Sequence, residues 1–172
     1  MIRRYRDWTP KIDAAAFVAE NAVLIGNVEI GPRSGIWYNV VLRGDVHDIR
    51  IGADTNIQDG TIVHCTRGKF GTYIGSGVTV GHMAVLHGCT VEDGAFVGMK
   101  ACVMDGAVVE TGAMVAAGAL VTPGKRVKKG ELWSGSPAKP MRELRADEIA
   151  FFAVSAQHYA ELAAEYRLSP NS

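Results

Sequence analysis

The stretch VEDGAF VGMKAC VMDGAV VETGAM VAAGAL VTPGKR, residues 91–126, divides into six hexapeptides that each begin with valine. Val127 opens a seventh. Toward the N-terminus the same every-sixth position holds Ile74, Val80 and Leu86, then Ile51, Ile57 and Val63, then Ile12, Val18, Leu24, Ile30, Ile36 and Leu42. All 19 positions are Ile, Leu or Val, although these types supply only 38 of 172 residues, and chance would fill about four of them.

A second position repeats. Four residues after most anchors the side chain is small or β-branched, as at Ala22, Ser34, Thr55, Thr61, Val78, Ala84, Ala95, Ala101, Ala107 and Ala113. Glycine often follows the anchor directly, as at Gly31, Gly52, Gly75, Gly81 and Gly98. A period of six is neither helical nor that of one long strand. It fits a short strand and a bend, repeated so that every anchor points to one axis. Three such sides make a triangular coil of 18 residues. The pattern predicts a left-handed parallel β-helix, an all-β solenoid.

Residues 1–140 are assigned to this β-helix and 141–172 to a C-terminal α-helix packed on it. In the tail glycine disappears, and Ile149, Phe152, Ala156, Tyr159, Ala163 and Tyr166 recur at spacings of three and four, which predicts one buried helix face. Pro137 and Pro140 mark the exit from the coil.

Composition narrows the function. Lys plus Arg and Asp plus Glu each number 18, so the net charge is zero and no basic excess points to nucleic acid. No window of 18 uninterrupted apolar residues suits a membrane span. The opening MIRRYRDWTP carries no apolar stretch behind its arginines and does not read as a secretory signal. Cys65, Cys89 and Cys102 are odd in number and lack a CxxC, which suits reduced thiols in a cytoplasmic protein.

The register slips locate the chemistry. Leu42 to Val63 spans 21 residues and Val63 to Leu86 spans 23, one coil plus three and one coil plus five. The extra residues are expected in corner loops near 45–50 and 66–73. Arg43, His64 and His87, each following its anchor, then form one outward column. Asp59 and His82, each two after its anchor, form another on a different face. Rungs of a parallel sheet lie about 4.8 Å apart, so His64 and His87 can reach one metal ion. His82 cannot easily turn the corner, but a neighbouring copy in a homotrimer can supply it. Three neutral imidazoles with an open position suit catalytic Zn²⁺, and Fe²⁺ or Co²⁺ suit the same ligands. The alternative is three solvated histidines on a solenoid surface.

The segments WYNVVLRGD (37–45), IGADTNIQDGTIVH (51–64), VGHMAVLHGCTVEDGAFVGM (80–99) and WSGSPAKPMREL (133–144) resemble the γ-class carbonic anhydrases, and the resemblance spans essentially the whole chain. It implies that His64, His82 and His87 bind the metal, with His82 donated by the neighbouring subunit. It implies that Gln58 hydrogen-bonds near the metal-bound water. Arg43, Asp45 and Asp59 match an interface ion-pair network, and Tyr159 matches a tyrosine at the site rim. The implied reaction is reversible hydration of CO₂ to bicarbonate by a hydroxide generated at the metal. The family's acidic proton shuttles are absent: Val46 follows Asp45, and Thr66–Gly71 contains no carboxylate. His47 is a substitute shuttle, and Cys65 and Cys89 read as small buried residues. Two other functions use the same fold. A hexapeptide-repeat acyltransferase would hold CoA between coils with one histidine as base, and a metal-binding homologue would keep the site with little activity.

Overall fold

A computed structural model describes residues 1–169, and the last three residues of the 141–172 tail lie outside it. The chain winds into a left-handed β-solenoid of about seven turns with three parallel faces and one α-helix. The first face stacks Ile12, Ile30, Ile51, Ile74, Val91, Val109 and Val127 in direct register. The second stacks Val18, Ile36, Ile57, Val80, Val97 and Val115 and closes on Trp133. The third stacks Leu24, Leu42, Val63, Leu86, Val103 and Val121. Every anchor therefore has the anchor one coil away as its neighbour. All are buried except Ile12 and Val18, which are half-buried because they lie in the first coil, where the stack is open at one end.

The position four after the anchor carries the stack's polar glue. The Ser34 hydroxyl donates to the Gly52 carbonyl at 2.7 Å and accepts the Thr55 N–H at 3.0 Å. Thr55 repeats this with the Gly75 carbonyl and the Val78 N–H, and Thr61 with the Gly81 carbonyl and the Ala84 N–H. Each buried hydroxyl thus has both a donor and an acceptor partner, which removes its desolvation penalty. Glycine one after the anchor has a steric cause. A Cβ on Gly98 would lie 2.5 Å from the Ala117 nitrogen in the next rung.

Two local expectations are corrected. The extra residues near 45–50 do not form a corner loop. Val41–Ile51 is one continuous strand paired with Val23–Ile30, and the surplus is absorbed as a bulge opposite Gly26–Val28. A bulge takes in extra residues while pairing resumes beyond it. Residues 66–70, by contrast, do leave the coil, as a tight turn closed by a bridge between Thr66 and Phe70. The prolines do not simply end the coil. Glu131–Gly135 and Ala138–Glu143 form an antiparallel hairpin that extends the second face. At the other end Ile2–Arg3 adds a strand beside Leu24 and Ile25.

Helix α1, Ala146–Leu168, lies along the second face. Phe152, Ser155, Ala156 and Ala163 are buried beneath it. Phe152 stacks on Phe96 at 5.1 Å, and Tyr159 and Tyr166 meet Trp37 edge-on. Ile149 departs from the expected face and is 45% exposed, and Tyr166 is 43% exposed although its ring packs on Trp37. At the first turn the Glu148 carboxylate accepts the Arg145 N–H and pairs with Arg142, which holds its pKa down to about 2. Among the described residues no helix is long and apolar enough to cross a membrane.

The two roles of glycine predict opposite tolerances. Gly98→Ala should cost at least about 2 kcal/mol, because the obstruction is backbone and cannot yield. Gly118 has φ +70° with open space around it, and Asn39 and Lys100 hold the same corner position at φ +58° and +59°. Gly118→Asn should therefore cost less than about 1 kcal/mol. Denaturant unfolding of both variants measures the difference, and equal losses would contradict it.

Candidate metal centre

On the third face, strands Ile62–His64 and Val85–His87 pair in register, with His64 directly opposite His87. His64 Nδ1 and His87 Nε2 face each other at 3.1 Å. The far nitrogen of each ring meets a carboxylate. His64 Nε2 lies 3.0 Å from Asp45 Oδ1, and His87 Nδ1 lies 3.2 Å from both oxygens of Asp105. Arg43 closes the row with a 2.8 Å bond to Asp45.

The charges fix the protons. Burial would raise the pKa of Asp45, but donors from Arg43 and His64 overcome it and hold the carboxyl below its ordinary value. Asp105 behaves alike, with Thr66 and His87 outweighing burial. Both are therefore ionised and only accept, so the proton on each ring sits beside its carboxylate. Burial lowers the pKa of His64, and Arg43 and His87 add to this while Asp45 opposes it. In the neutral rings the two facing nitrogens are then both bare lone pairs. Two lone pairs at that distance cannot bond to each other; they can share a cation. Nitrogens on one tetrahedral zinc ion, each about 2.0–2.1 Å from it, lie about 3.3–3.4 Å apart. The pair fits such an ion.

The other candidates lie at the second face. His82 Nδ1 pairs with Asp59 Oδ2 at 2.9 Å, which leaves Nε2 free. Asp59 Oδ1 also accepts the Tyr38 N–H. The Tyr159 hydroxyl is raised in pKa first by burial and then by the Asp59 charge. Gln58 is buried, and its Nε2 donates to Asn56 Oδ1 at 3.0 Å. Asn56 in turn donates to Thr79, which bonds to Ser155 on α1. Within one chain, Arg43, Asp45, His64 and His87 are thus together, as are Asp59, His82 and Tyr159, and the two sets are apart. Among the described residues of one chain no three His, Cys, Asp or Glu side chains converge as a metal site. His47 is not free in its strand, because its Nδ1 contacts the Asp48 carboxylate.

Between the two sets runs an exposed apolar strip. Ile62 and Val85 are paired neighbours on the third face, and Met83 and Met99 are 59% and 54% exposed at the corner. Exposed apolar side chains in one contiguous strip mark an interaction surface.

The chain is 52% identical over 171 residues to gamma carbonic anhydrase 2, mitochondrial, of Arabidopsis thaliana, an alignment covering 96% of this chain and 61% of that protein. It is 51% identical over 145 residues to a probable carbonic anhydrase of Methanocaldococcus jannaschii, covering 84% of this chain and 91% of the relative. The chain belongs to the γ-class carbonic anhydrase family. It spans about three fifths of the length of its Arabidopsis relatives. A solved hexapeptide transferase family protein from Anaplasma phagocytophilum superposes with a TM-score of 0.92 at 49% identity, over 96% of this chain and 97% of that one. No protein-family model matches the chain.

Asp105 was absent from the sequence-derived candidates. It stands 18 residues after His87, one regular coil, so the column arithmetic carried one turn further reaches it. Cys65 follows His64 directly and Cys89 stands two after His87; each is 1% exposed, and burial raises both thiol pKa values, that of Cys65 to about 11. From their burial, a water-soluble disulfide reagent should leave both unlabelled in the native protein and label them on unfolding. Native labelling at the rate of a free thiol would contradict the packing.

Proposed function

We propose that the protein is a homotrimer with three metal centres at its subunit interfaces, each catalysing reversible hydration of CO₂ to bicarbonate. His64 and His87 come from one subunit and His82 from the next. The observation that carries this reading is the pair of bare, carboxylate-backed imidazole nitrogens 3.1 Å apart, which lack a third ligand among the described residues of their own chain. Zn²⁺ suits three neutral nitrogens, as do Fe²⁺ and Co²⁺. A divalent ion held there supplies the Lewis acidity that lowers a water's pKa from 15.7 to about 7.

The chain's own residues do the rest. Asp45 and Asp59 hold His64 and His82 in the required tautomers, and Arg43 holds Asp45. Arg43 and Asp59, on different faces of one chain, meet across the interface. Gln58 spends its Nε2 on Asn56, so its Oε1 remains to orient the attacking water. Tyr159 stands at the rim. The strip of Ile62, Met83, Val85 and Met99, covered by the neighbour, keeps bulk water from CO₂. The three thiols are unpaired, which suits work in the cytoplasm.

Asp45, Asp59 and Asp105 are each engaged by a histidine, so none is a free proton carrier. Turnover should therefore rise with the concentration of an imidazole-type buffer in a stopped-flow assay. A rate independent of buffer would point to an internal shuttle.

The Anaplasma protein's description as a transferase favours acyl transfer as a second reading. One general base does not account for three aspartate-backed histidines. Acetyl-CoA binding to the purified protein, with no CO₂ hydration, would select it. Metal bound without turnover would select the low-activity homologue.

The shared centre is tested by complementation. Sedimentation should give about three times the 18.4 kDa chain. His82→Ala and His64→Ala trimers should each lose tight metal binding. Co-refolded as an equal mixture, they should recover about a quarter of the wild-type sites, the random-assortment share in a cyclic trimer. No recovery in verified mixed trimers would return all three ligands to one chain.

A further inference from the structure

Asp105 reaches His87 from the next coil, on the side of the ring away from His64. Both carboxylate oxygens stand 3.2 Å from Nδ1, so the ring hydrogen is shared between them. The carboxylate is fixed from its other side. The Thr66 hydroxyl, at the start of the tight turn 66–70, donates to Asp105 Oδ1. Gly88, the residue after His87, makes the space. A Cβ there would lie 2.5 Å from Asp105 Oδ1 and 3.0 Å from Phe70 Cβ, and the backbone holds φ +58°. Phe70 at the end of the turn also packs against Gly106, beside Asp105. The five-residue excess in this coil thus builds a buttress, and its polar end is a hydroxyl aimed at the aspartate.

We propose that Asp105, held by Thr66, is the positioning residue for His87: it takes the Nδ1 hydrogen and so keeps Nε2 bare and aimed at His64 Nδ1. A neutral imidazole carries one hydrogen and can place it on either nitrogen. In the wrong tautomer His87 would present an N–H to the shared position, and with the ring turned over a C–H; in neither case could it be a ligand. Partners that orient a ligating histidine in this way affect metal affinity by about 10–100-fold. The consequence for affinity rests on the metal centre proposed above; the tautomer does not.

The tautomer is read first, in the metal-free protein with ¹⁵N-labelled histidine, at a pH where the rings are neutral and with His87→Gln to assign the signal. His87 should show one form, with hydrogen on Nδ1. A dominant Nε2–H form in the wild type would overturn the proposal. Thr66→Val, which keeps the shape and loses the hydroxyl, should let the Nε2–H form appear, and so should Asp105→Asn. Thr66→Ser should restore the wild-type pattern. Zn²⁺ affinity by chelator competition should fall about 10–100-fold in Thr66→Val and Asp105→Asn, and within about threefold of wild type in Thr66→Ser. Thermal unfolding of each metal-free variant separates this from general loosening. A wild type that binds Zn²⁺ while Thr66→Val and Asp105→Asn bind it as tightly would overturn the inference and leave the metal centre intact. A wild type that binds no Zn²⁺, yet holds His87 as Nδ1–H, would remove the metal centre and leave the positioning role standing.

Discussion

The coil of 18 residues returns each aliphatic anchor to a place directly beside the last, about 4.8 Å away. That spacing is set by hydrogen bonds between rungs, and every other feature of the molecule obeys it. An interior this narrow holds one aliphatic anchor per side and a small residue near the corner, so the composition is rich in Val and Ala rather than Leu. Extra residues are accommodated only where pairing can resume beyond them. The chain does this once by a bulge in Val41–Ile51 and once by the turn at 66–70.

The same spacing sets up the chemistry. Strand register places the two histidines of adjacent rungs directly opposite each other, and their facing nitrogens lie 3.1 Å apart. What leaves the two facing nitrogens bare in the neutral rings is electrostatic. Ionised Asp45 and Asp105 sit behind the rings and decide which nitrogens are bare. Asp59 does the same for His82 at the second face. A flat solenoid face cannot wrap around an ion, so a complete coordination sphere needs a second surface. The exposed strip of Ile62, Met83, Val85 and Met99 between the two histidine sets is where that surface would press.

Much of this was legible in the residues because a solenoid converts sequence spacing directly into position. The anchors Val97, Val103 and Val109, and the pairing of His64 with His87 and of Asp59 with His82, follow from counting in sixes. Counting fails where the period is broken. The bulge at 45–48 looks like a loop in sequence because the same surplus suits either. Ile2–Arg3 and the hairpin from Glu131 to Glu143 lie beyond the periodic region, and their pairing is decided by the open ends of the stack. Ile149 fits the helical spacing but lies near the start of α1, where the groove against the coil corner is open. Asp105 was hidden for a different reason. Its position repeats the general Asp-Gly corner signal, and only its distance of one coil from His87 marks it as a partner.

X-ray absorption at the metal edge of the Zn²⁺-loaded native protein reads the ligand set of the proposed centre. A shared three-histidine centre gives one ion per chain with three imidazole nitrogens at about 2.0–2.1 Å, one light atom besides, and no sulfur. A site with two imidazoles and a sulfur at about 2.3 Å, or zinc bound only at scattered, substoichiometric surface positions, would contradict it.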